Sequence, residues 1–145
     1  MDFLAVNQKT KIAHYSLWQI DFYGKLQTIR PMPYNLKLAD RVRDFLATRT
    51  GLKIEEKKMF RGLTFMVDEK MCVSVSKDNL MCRYDPLREH EIAERIGFQP
   101  MIMKGRQYKG FCYVGEEGYK SKKDFEFWLN LCLDYNGKAK KSKKK

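Results

Sequence analysis

The sequence predicts an α+β domain in which helices pack on one antiparallel sheet. Three observations predict it: a helical apolar pattern near residue 40, short strand-like segments between 54 and 84, and a second helical apolar pattern near residue 128. Turns of two or three residues place consecutive strands antiparallel. Strand–helix units do not alternate, which argues against a parallel sheet. We expect about five to six strands and three helices, in the order helix, three or four strands, helix, two strands, helix.

The first helix is predicted over residues 36–49, where Leu38, Val42, Phe45 and Leu46 recur with a helical period. Gly51 follows, and glycine commonly ends a helix in the left-handed conformation. Residues 54–60 come next and are mostly charged, which is typical of an edge strand.

A meander of strands continues after this edge. Leu63, Phe65 and Val67 alternate on one side of their strand. The meander has predicted strands at 63–67, 71–75 and 80–84 and predicted turns at 68–69 and 77–79. The sequence does not decide which face of each strand is buried, because a slip of one residue exchanges the two faces.

Pro86 is predicted to open the second helix, since proline is well accommodated in a first turn. Gly97 is predicted to close it, and its inner side is predicted to carry Leu87, Ile92, Ala93 and Ile96. Two strands are predicted at 100–103 and 110–114, around a loop at 104–109, and residues 115–118 are predicted to turn. The third helix is predicted to start near Ser121 and to place on one face Phe125, Trp128, Leu129 and Cys132.

Composition divides the chain into an N-terminal extension (1–31), a domain (32–137) and a lysine tail (138–145). The net charge is +11, of which the tail carries six and the extension two, so the domain keeps only +3. We expect the tail to be disordered, because it lacks core-forming residues. The extension has two interpretations: sequence upstream of a natural start at Met32, or a genuine extension whose aromatic residues pack on the domain.

The four cysteines are predicted to be reduced structural thiols. None forms a C-x-x-C pair, so neither a zinc ribbon nor a thioredoxin-type site is indicated. Reduced cysteines fit a cytosolic compartment, and no apolar run approaches the 18 residues of a membrane span. We therefore expect a soluble cytoplasmic protein with no cofactor, no metal and no membrane contact.

Enzyme activity is not expected, and we assign no catalytic residue. The two histidines are His14, in the extension, and His90, which lies between two glutamates and is expected to face solvent. A Cys–His or Ser–His–Asp site needs a histidine beside a nucleophile, and no His, Cys and Asp cluster has metal-ligand spacing.

Two basic segments are candidates for binding. Arg61 occupies a corner between two strands, where it is either solvated or available to a carboxylate or phosphate. The 104–109 loop is either a plain solvated hairpin or a site for an anion or nucleic acid, with Tyr108 available for stacking. The candidate binding residues are therefore Arg61, Lys104, Arg106, Tyr108 and Lys109. The tail adds up to roughly six phosphate contacts of low specificity.

Methionine is frequent on the predicted strands. The six that fall there are Met59, Met66, Met71, Met81, Met101 and Met103. Some fill the core, and a surface rich in methionine and phenylalanine also adapts to a partner. We prefer self-association through an exposed edge or sheet face.

Several segments of the domain form one ordered pattern: residues 57–67, 70–72 and 80–84, and then 103–106, 109–114 and Trp128. This pattern resembles the N-terminal domain of the TfoX/Sxy bacterial competence regulators. It spans about 105 residues, and Arg61 stands where the family usually has a glycine. The resemblance implies a small, often dimeric α+β fold without agreed catalytic residues. The second domain of the competence regulators has no counterpart in residues 138–145.

These observations predict a non-catalytic module that acts by protein–protein contact, as a homodimer or with another protein, in competence-type transcriptional regulation. The alternative is a nucleic-acid-associated protein that binds weakly through the lysine tail and the 104–109 loop. The two differ in whether removal of the basic residues abolishes the interaction.

Overall fold

The computed structural model describes residues 18–20, 26–28 and 34–139. The chain divides into two units, Met1–Met32 and Pro33–Lys145. In the first unit β1 (Trp18–Ile20) pairs antiparallel with β2 (Leu26–Thr28). The remaining expectations for the extension, and the disorder expected for residues 140–145, lie outside the described residues and stay predictions.

The second unit contains one antiparallel sheet of six strands. Its strands are β3 (Ile54–Met59), β4 (Gly62–Val67), β5 (Lys70–Ser76), β6 (Asn79–Arg83), β7 (Phe98–Met103) and β8 (Arg106–Val114). Their spatial order is β3-β4-β5-β6-β8-β7, so β3 and β7 are the two edges. The predicted α+β class and element order are confirmed.

Helices connect and cover these strands. They are α1 (Leu36–Ala47), a 3₁₀ turn (Pro86–Arg88), α2 (Glu89–Ile92), α3 (Glu116–Tyr119) and α4 (Lys122–Asn136). The single-turn helix α3 replaces the turn predicted at 115–118, so the unit has four α-helices where three were expected. None of the helices in the described segments has the length and apolar character needed to cross a bilayer.

The two long helices begin at side-chain caps. Asn35 accepts a hydrogen bond from the Leu38 backbone N–H, and Ser121 does the same for Asp124. Both caps satisfy a backbone donor that the first helical turn leaves free. Helix α1 ends earlier than predicted, at Thr48, and Gly51 adopts its left-handed backbone (φ 80°) three residues beyond that cap.

The main core lies between one face of the sheet and helices α1 and α4. Leu38 and Val42 of α1 are buried against it, as are Phe65 of β4 and Trp128 of α4. The Trp128 indole N–H donates to the Gly118 carbonyl at 3.0 Å, which satisfies the one polar atom of that side chain. Leu63, Phe65 and Val67 lie together on this face of the sheet, as predicted. The apolar residues predicted for one face of α4 also lie in this core.

The second helix differs from the prediction. Residues 93–97 do not continue it, and of its four predicted inner residues only Ile92 is buried, whereas Leu87, Ala93 and Ile96 are exposed. The chain must turn here to enter β7, because Gly97 adopts φ 90° and its backbone packs directly on Gly118. A side chain at either glycine would overlap the other backbone, so this close approach ends the helix early.

The loop predicted at 104–109 is a two-residue turn followed by strand. Lys104 (φ 53°) and Gly105 (φ 78°) both adopt left-handed backbone, the geometry that suits a tight hairpin. Strand β8 therefore begins at Arg106. The glycine at 110 does not start a strand: it adopts φ 92° inside β8, where the register against β7 shifts.

Candidate interaction surface

The two edges of the sheet have opposite character. Edge strand β3 carries Glu55, Glu56, Lys57 and Lys58, all exposed, which confirms the charged edge expected from the sequence. Charges of this kind protect an edge from pairing with another chain. Edge strand β7, with the sequence Phe-Gln-Pro-Met-Ile-Met, carries no charge. The unprotected edge of the domain is therefore β7.

Strand β7 exposes large apolar side chains at its end. Ile102 is 57% exposed and Met103 is 52% exposed. Pro100 lies in the same strand and is exposed, and proline has no N–H to offer to a further strand. Side chains rather than a continuous backbone ladder are therefore the groups that β7 presents to a partner.

The sheet face opposite the helices holds a second apolar cluster. It consists of Met71, Met81 and Met101, packed with Met66, Phe111 and Tyr113. The three central methionines are buried. On the same face Thr64 and Ser74 are also buried, and the Thr64 hydroxyl donates to the Ser74 hydroxyl at 3.0 Å. The exposed methionines are therefore at the two edges, Met103 of β7 at 52% and Met59 of β3 at 36%, and not on this face.

Four of the five candidate binding residues lie together on the β7–β8 hairpin (residues 98–114). Lys104 is in its turn, and Arg106, Tyr108 and Lys109 follow in β8, all exposed. The Tyr108 ring stacks on Phe111 at 5.3 Å between centroids, with 10° between the ring planes. The hairpin therefore presents three cations beside an ordered aromatic ring.

The tip of this hairpin is held to α2 through one carboxylate. Glu89 accepts from the Tyr84 hydroxyl at 2.9 Å and from the Gln107 side-chain amide at 3.0 Å. Burial, and then the hydrogen bond to Glu89, raise the pKa of Tyr84, which therefore stays protonated and donates throughout the physiological range. This network links the start of β8 to α2 and to Tyr84.

Arg61 lies at the opposite corner of the sheet from the other candidates. It is in the turn between β3 and β4, whereas the hairpin is formed by β8 and β7 at the far edge. The two turns lie at opposite ends of the strands, because all neighbouring strands are antiparallel. The four strand spacings between them alone amount to roughly 19 Å. Arg61 therefore does not share a site with Lys104, Arg106, Tyr108 and Lys109.

The four cysteines come together in the main core. They are Cys72 of β5, Cys82 of β6, Cys112 of β8 and Cys132 of α4, all buried and free. Cys82 lies directly opposite Cys112 in the sheet. Hydrogen bonds to Cys112 and Cys132, together with burial, raise the pKa of Cys82. A raised pKa disfavours the thiolate, the reactive form, so the Cys82 thiol behaves as a small apolar group.

His90 is exposed on α2, away from the buried thiols. Across the described residues, no three His, Cys, Asp or Glu side chains converge in a metal-binding geometry. An open cavity of about 480 Å³ lies between the ends of α1 and α4, lined among others by Thr48, Arg49, Asp68 and Asn136. Its lining places no histidine or cysteine beside an acid.

The sequence did not single out Ile102 or Phe111 as surface residues of interest. The signal that identifies them is the absence of any charge in residues 98–103, next to three cations in the following six residues. An uncharged segment of this kind is unusual for an edge strand.

Comparison with known proteins agrees with this architecture. Neither a curated protein nor a solved structure matches the chain. A family model, described as the TfoX N-terminal domain, matches residues 46–135. The match runs from the end of α1 to the end of α4 and so includes the whole sheet and the β7–β8 hairpin. The chain belongs to the TfoX N-terminal domain family.

Proposed function

We propose that this domain is a non-catalytic module that forms a homodimer through the β7 edge and serves competence-type transcriptional regulation. Family membership suggests a competence-related regulatory module. The observation that carries the contact is the pair of exposed apolar residues, Ile102 and Met103, on the uncharged edge. Exposed apolar residues at an edge favour association.

The expected strength follows from the area available. Burying a half-exposed side chain of this size contributes roughly 1 kcal/mol, and a symmetric pair buries four of them, giving roughly 4 kcal/mol. Pro100 limits backbone pairing across the edge. A gain of roughly 4 kcal/mol corresponds to a Kd of about 1 mM before the cost in translational and rotational freedom is subtracted, so we expect a weak dimer with a Kd of about a millimolar or above.

The non-catalytic part of the proposal is supported by the state of the reactive residues. The thiols are buried with a raised pKa at Cys72 and Cys82, and His90 is exposed on α2. Turnover by the purified chain that is lost on substitution of His90 or of a cysteine would contradict this part.

The dimer is tested by sedimentation equilibrium of the full chain between about 0.1 and 2 mM, a range set by the expected affinity. We expect the mass to rise towards twice that of one chain. Ile102→Lys should abolish the rise, because it places a charge on the apolar contact. A circular dichroism spectrum equal to wild type confirms that this exposed substitution leaves the fold intact.

Leu87→Lys is the matched control. Leu87 is 81% exposed and lies in the 3₁₀ turn, outside strand β7, so the same substitution there should leave dimerisation unchanged. Equal loss with both variants contradicts the β7 contact, and a monomer at all concentrations contradicts self-association.

A further inference from the structure

The β7–β8 hairpin is the most one-sided segment of charge in the described domain. Residues 98–114 contain three cations, Lys104, Arg106 and Lys109, and no aspartate or glutamate. All three are exposed, and none forms an ion pair with any other described residue. Their charge is therefore not used within the domain.

Most of the arginines in the described domain, in contrast, contact another protein group. Six of the eight described arginines contact a carboxylate, an amide or carbonyl oxygen, or an aromatic ring; these are Arg41, Arg43, Arg49, Arg83, Arg88 and Arg95. The other two are Arg61 and Arg106, at the two opposite corners. Arg61 follows Phe60, which is 47% exposed, whereas Arg106 shares a strand with Tyr108, whose ring is stacked on Phe111.

Tyr108 provides a surface for stacking. Its ring is 51% exposed, and one of its faces is held parallel to Phe111. The Arg83 guanidinium lies 5.8 Å from the centre of the Phe111 ring and extends the stack. An aromatic ring that is already oriented, with its second face open, suits a flat partner such as a nucleic-acid base.

The start of the lysine tail lies at the same end of the sheet. Lys138 approaches Asp85 at 3.4 Å, and the neighbouring Tyr84 N–H donates to the Gly110 carbonyl of β8 at 2.9 Å. The six lysines of residues 138–145 therefore follow from a point next to β8.

We propose that the β7–β8 hairpin binds single-stranded nucleic acid. Lys104, Arg106 and Lys109 neutralise phosphates, and Tyr108 stacks on a base. Cations alone attract any polyanion, but stacking requires an exposed base face, which a duplex does not offer along its length. This site does not depend on dimerisation, since all its groups belong to one chain.

The test is fluorescence anisotropy of a labelled oligothymidylate of about 16 nucleotides, titrated with the full chain at several salt concentrations. We expect binding that weakens steeply with salt. The variant Lys104→Gln/Arg106→Gln/Lys109→Gln removes three phosphate contacts, so the slope of log K against log salt should decrease by about 2. Affinity at low salt should fall at least tenfold.

Tyr108→Leu separates stacking from charge. It should lower affinity by about 5- to 150-fold, the range observed for loss of one stacked base, while leaving the salt slope unchanged. A change in slope without this loss would contradict stacking by Tyr108.

The opposite corner of the sheet offers a matched control. Lys57→Gln/Lys58→Gln/Arg61→Gln also removes three exposed cations, so its net charge equals that of the hairpin variant. It should change the salt slope little, because these residues lie outside the proposed site.

Three outcomes overturn the proposal. The first is an equal loss in the control variant, which reduces binding to overall charge. The second is tighter binding to a duplex of the same length than to the single strand. The third is no binding at about 50 mM salt, where phosphate contacts are strong.

Discussion

Phe60 and Arg61 both adopt left-handed backbone, with φ of 55° and 57°, in the two-residue turn between β3 and β4. Residues with a Cβ are strained in this conformation by roughly 1–2 kcal/mol, whereas glycine is not. The family usually has a glycine where this chain has Arg61. The next residue, Gly62, has no such freedom to change, because a Cβ there would overlap the Val75 carbonyl.

We predict that Arg61→Gly stabilises the domain by about 1 kcal/mol, because the strain removed exceeds the extra entropy that glycine gives the unfolded chain. Urea unfolding monitored by tryptophan fluorescence measures the change. Arg61→Ala is the control: it removes the same charge but keeps a Cβ, so it should not stabilise. An equal gain with alanine would show that charge, and not backbone strain, is responsible.

At the scale of elements, one bidentate ion pair ties α1 to the edge strand β3. The Arg43 Nε and Nη2 donate to the two carboxylate oxygens of Glu56 at 2.6 and 2.8 Å. The hydrogen bonds from Arg43 lower the pKa of Glu56, although partial burial opposes this. Both side chains are about a third or more exposed, so solvent screening keeps the contribution small.

We predict that Arg43→Met destabilises the domain by about 0.5–1 kcal/mol at pH 7, the range for a well-aligned exposed pair. Because the pKa of Glu56 is lowered on folding, this difference is fully present above the unfolded pKa. It is lost as the pH falls through the lower folded value. Unfolding curves of both proteins between pH 7 and pH 2.5 measure it.

Lys53→Met is the control for this pair. The Lys53 Nζ lies 3.8 Å from the Glu69 Oε2, and both side chains are more than half exposed. The change in the free energy of unfolding should therefore be close to zero at every pH. A pH-independent loss in Arg43→Met would mean that side-chain packing, and not the ion pair, is what the substitution removes.

The order of elements was predictable because apolar spacing and turn residues mark each one locally. The sequence did not show which face of each strand is buried, because both faces of the sheet are apolar. Phe65 and Cys82 pack on the side of the helices, whereas Met66 and Met81 pack on the other side. Alternation then carries little information. The early end of α2 was not predictable either, since it depends on contact between Gly97 and Gly118, which are distant in sequence.

The candidate residues on the hairpin were predictable from composition, but their grouping was not. Arg61 and Arg106 look equivalent in sequence, each next to a glycine in a basic turn. The antiparallel order of six strands separates them to opposite corners, and that order is set by pairing between residues far apart in the chain.

At the scale of the whole molecule, the two proposals predict opposite responses to salt. In a dimer through β7 the cations Lys104, Arg106 and Lys109 of two copies approach one another and repel. Salt screens this repulsion, with a Debye length of about 30 Å at 0.01 M and about 10 Å at 0.1 M. Nucleic-acid binding depends instead on attraction, which salt weakens.

We predict that the dimer strengthens severalfold between about 0.02 and 0.3 M salt, while affinity for a single strand falls over the same range. Sedimentation equilibrium at each salt concentration measures the first effect. The variant Lys104→Gln/Arg106→Gln/Lys109→Gln should dimerise with little salt dependence. A dimer that weakens with salt would place attractive charges at the contact and contradict the β7 interface.

The contrast between the sheet edges also determines where assembly stops. Two copies that meet β7 to β7 use the same surface on each partner, and the contact closes on itself as a two-fold pair. Meeting β7 to β3 would leave one free edge at each end and propagate into a filament. The glutamates and lysines of β3, together with the missing amide proton of Pro100, disfavour that arrangement. Association through β7 alone would therefore stop at the dimer and not continue into a filament.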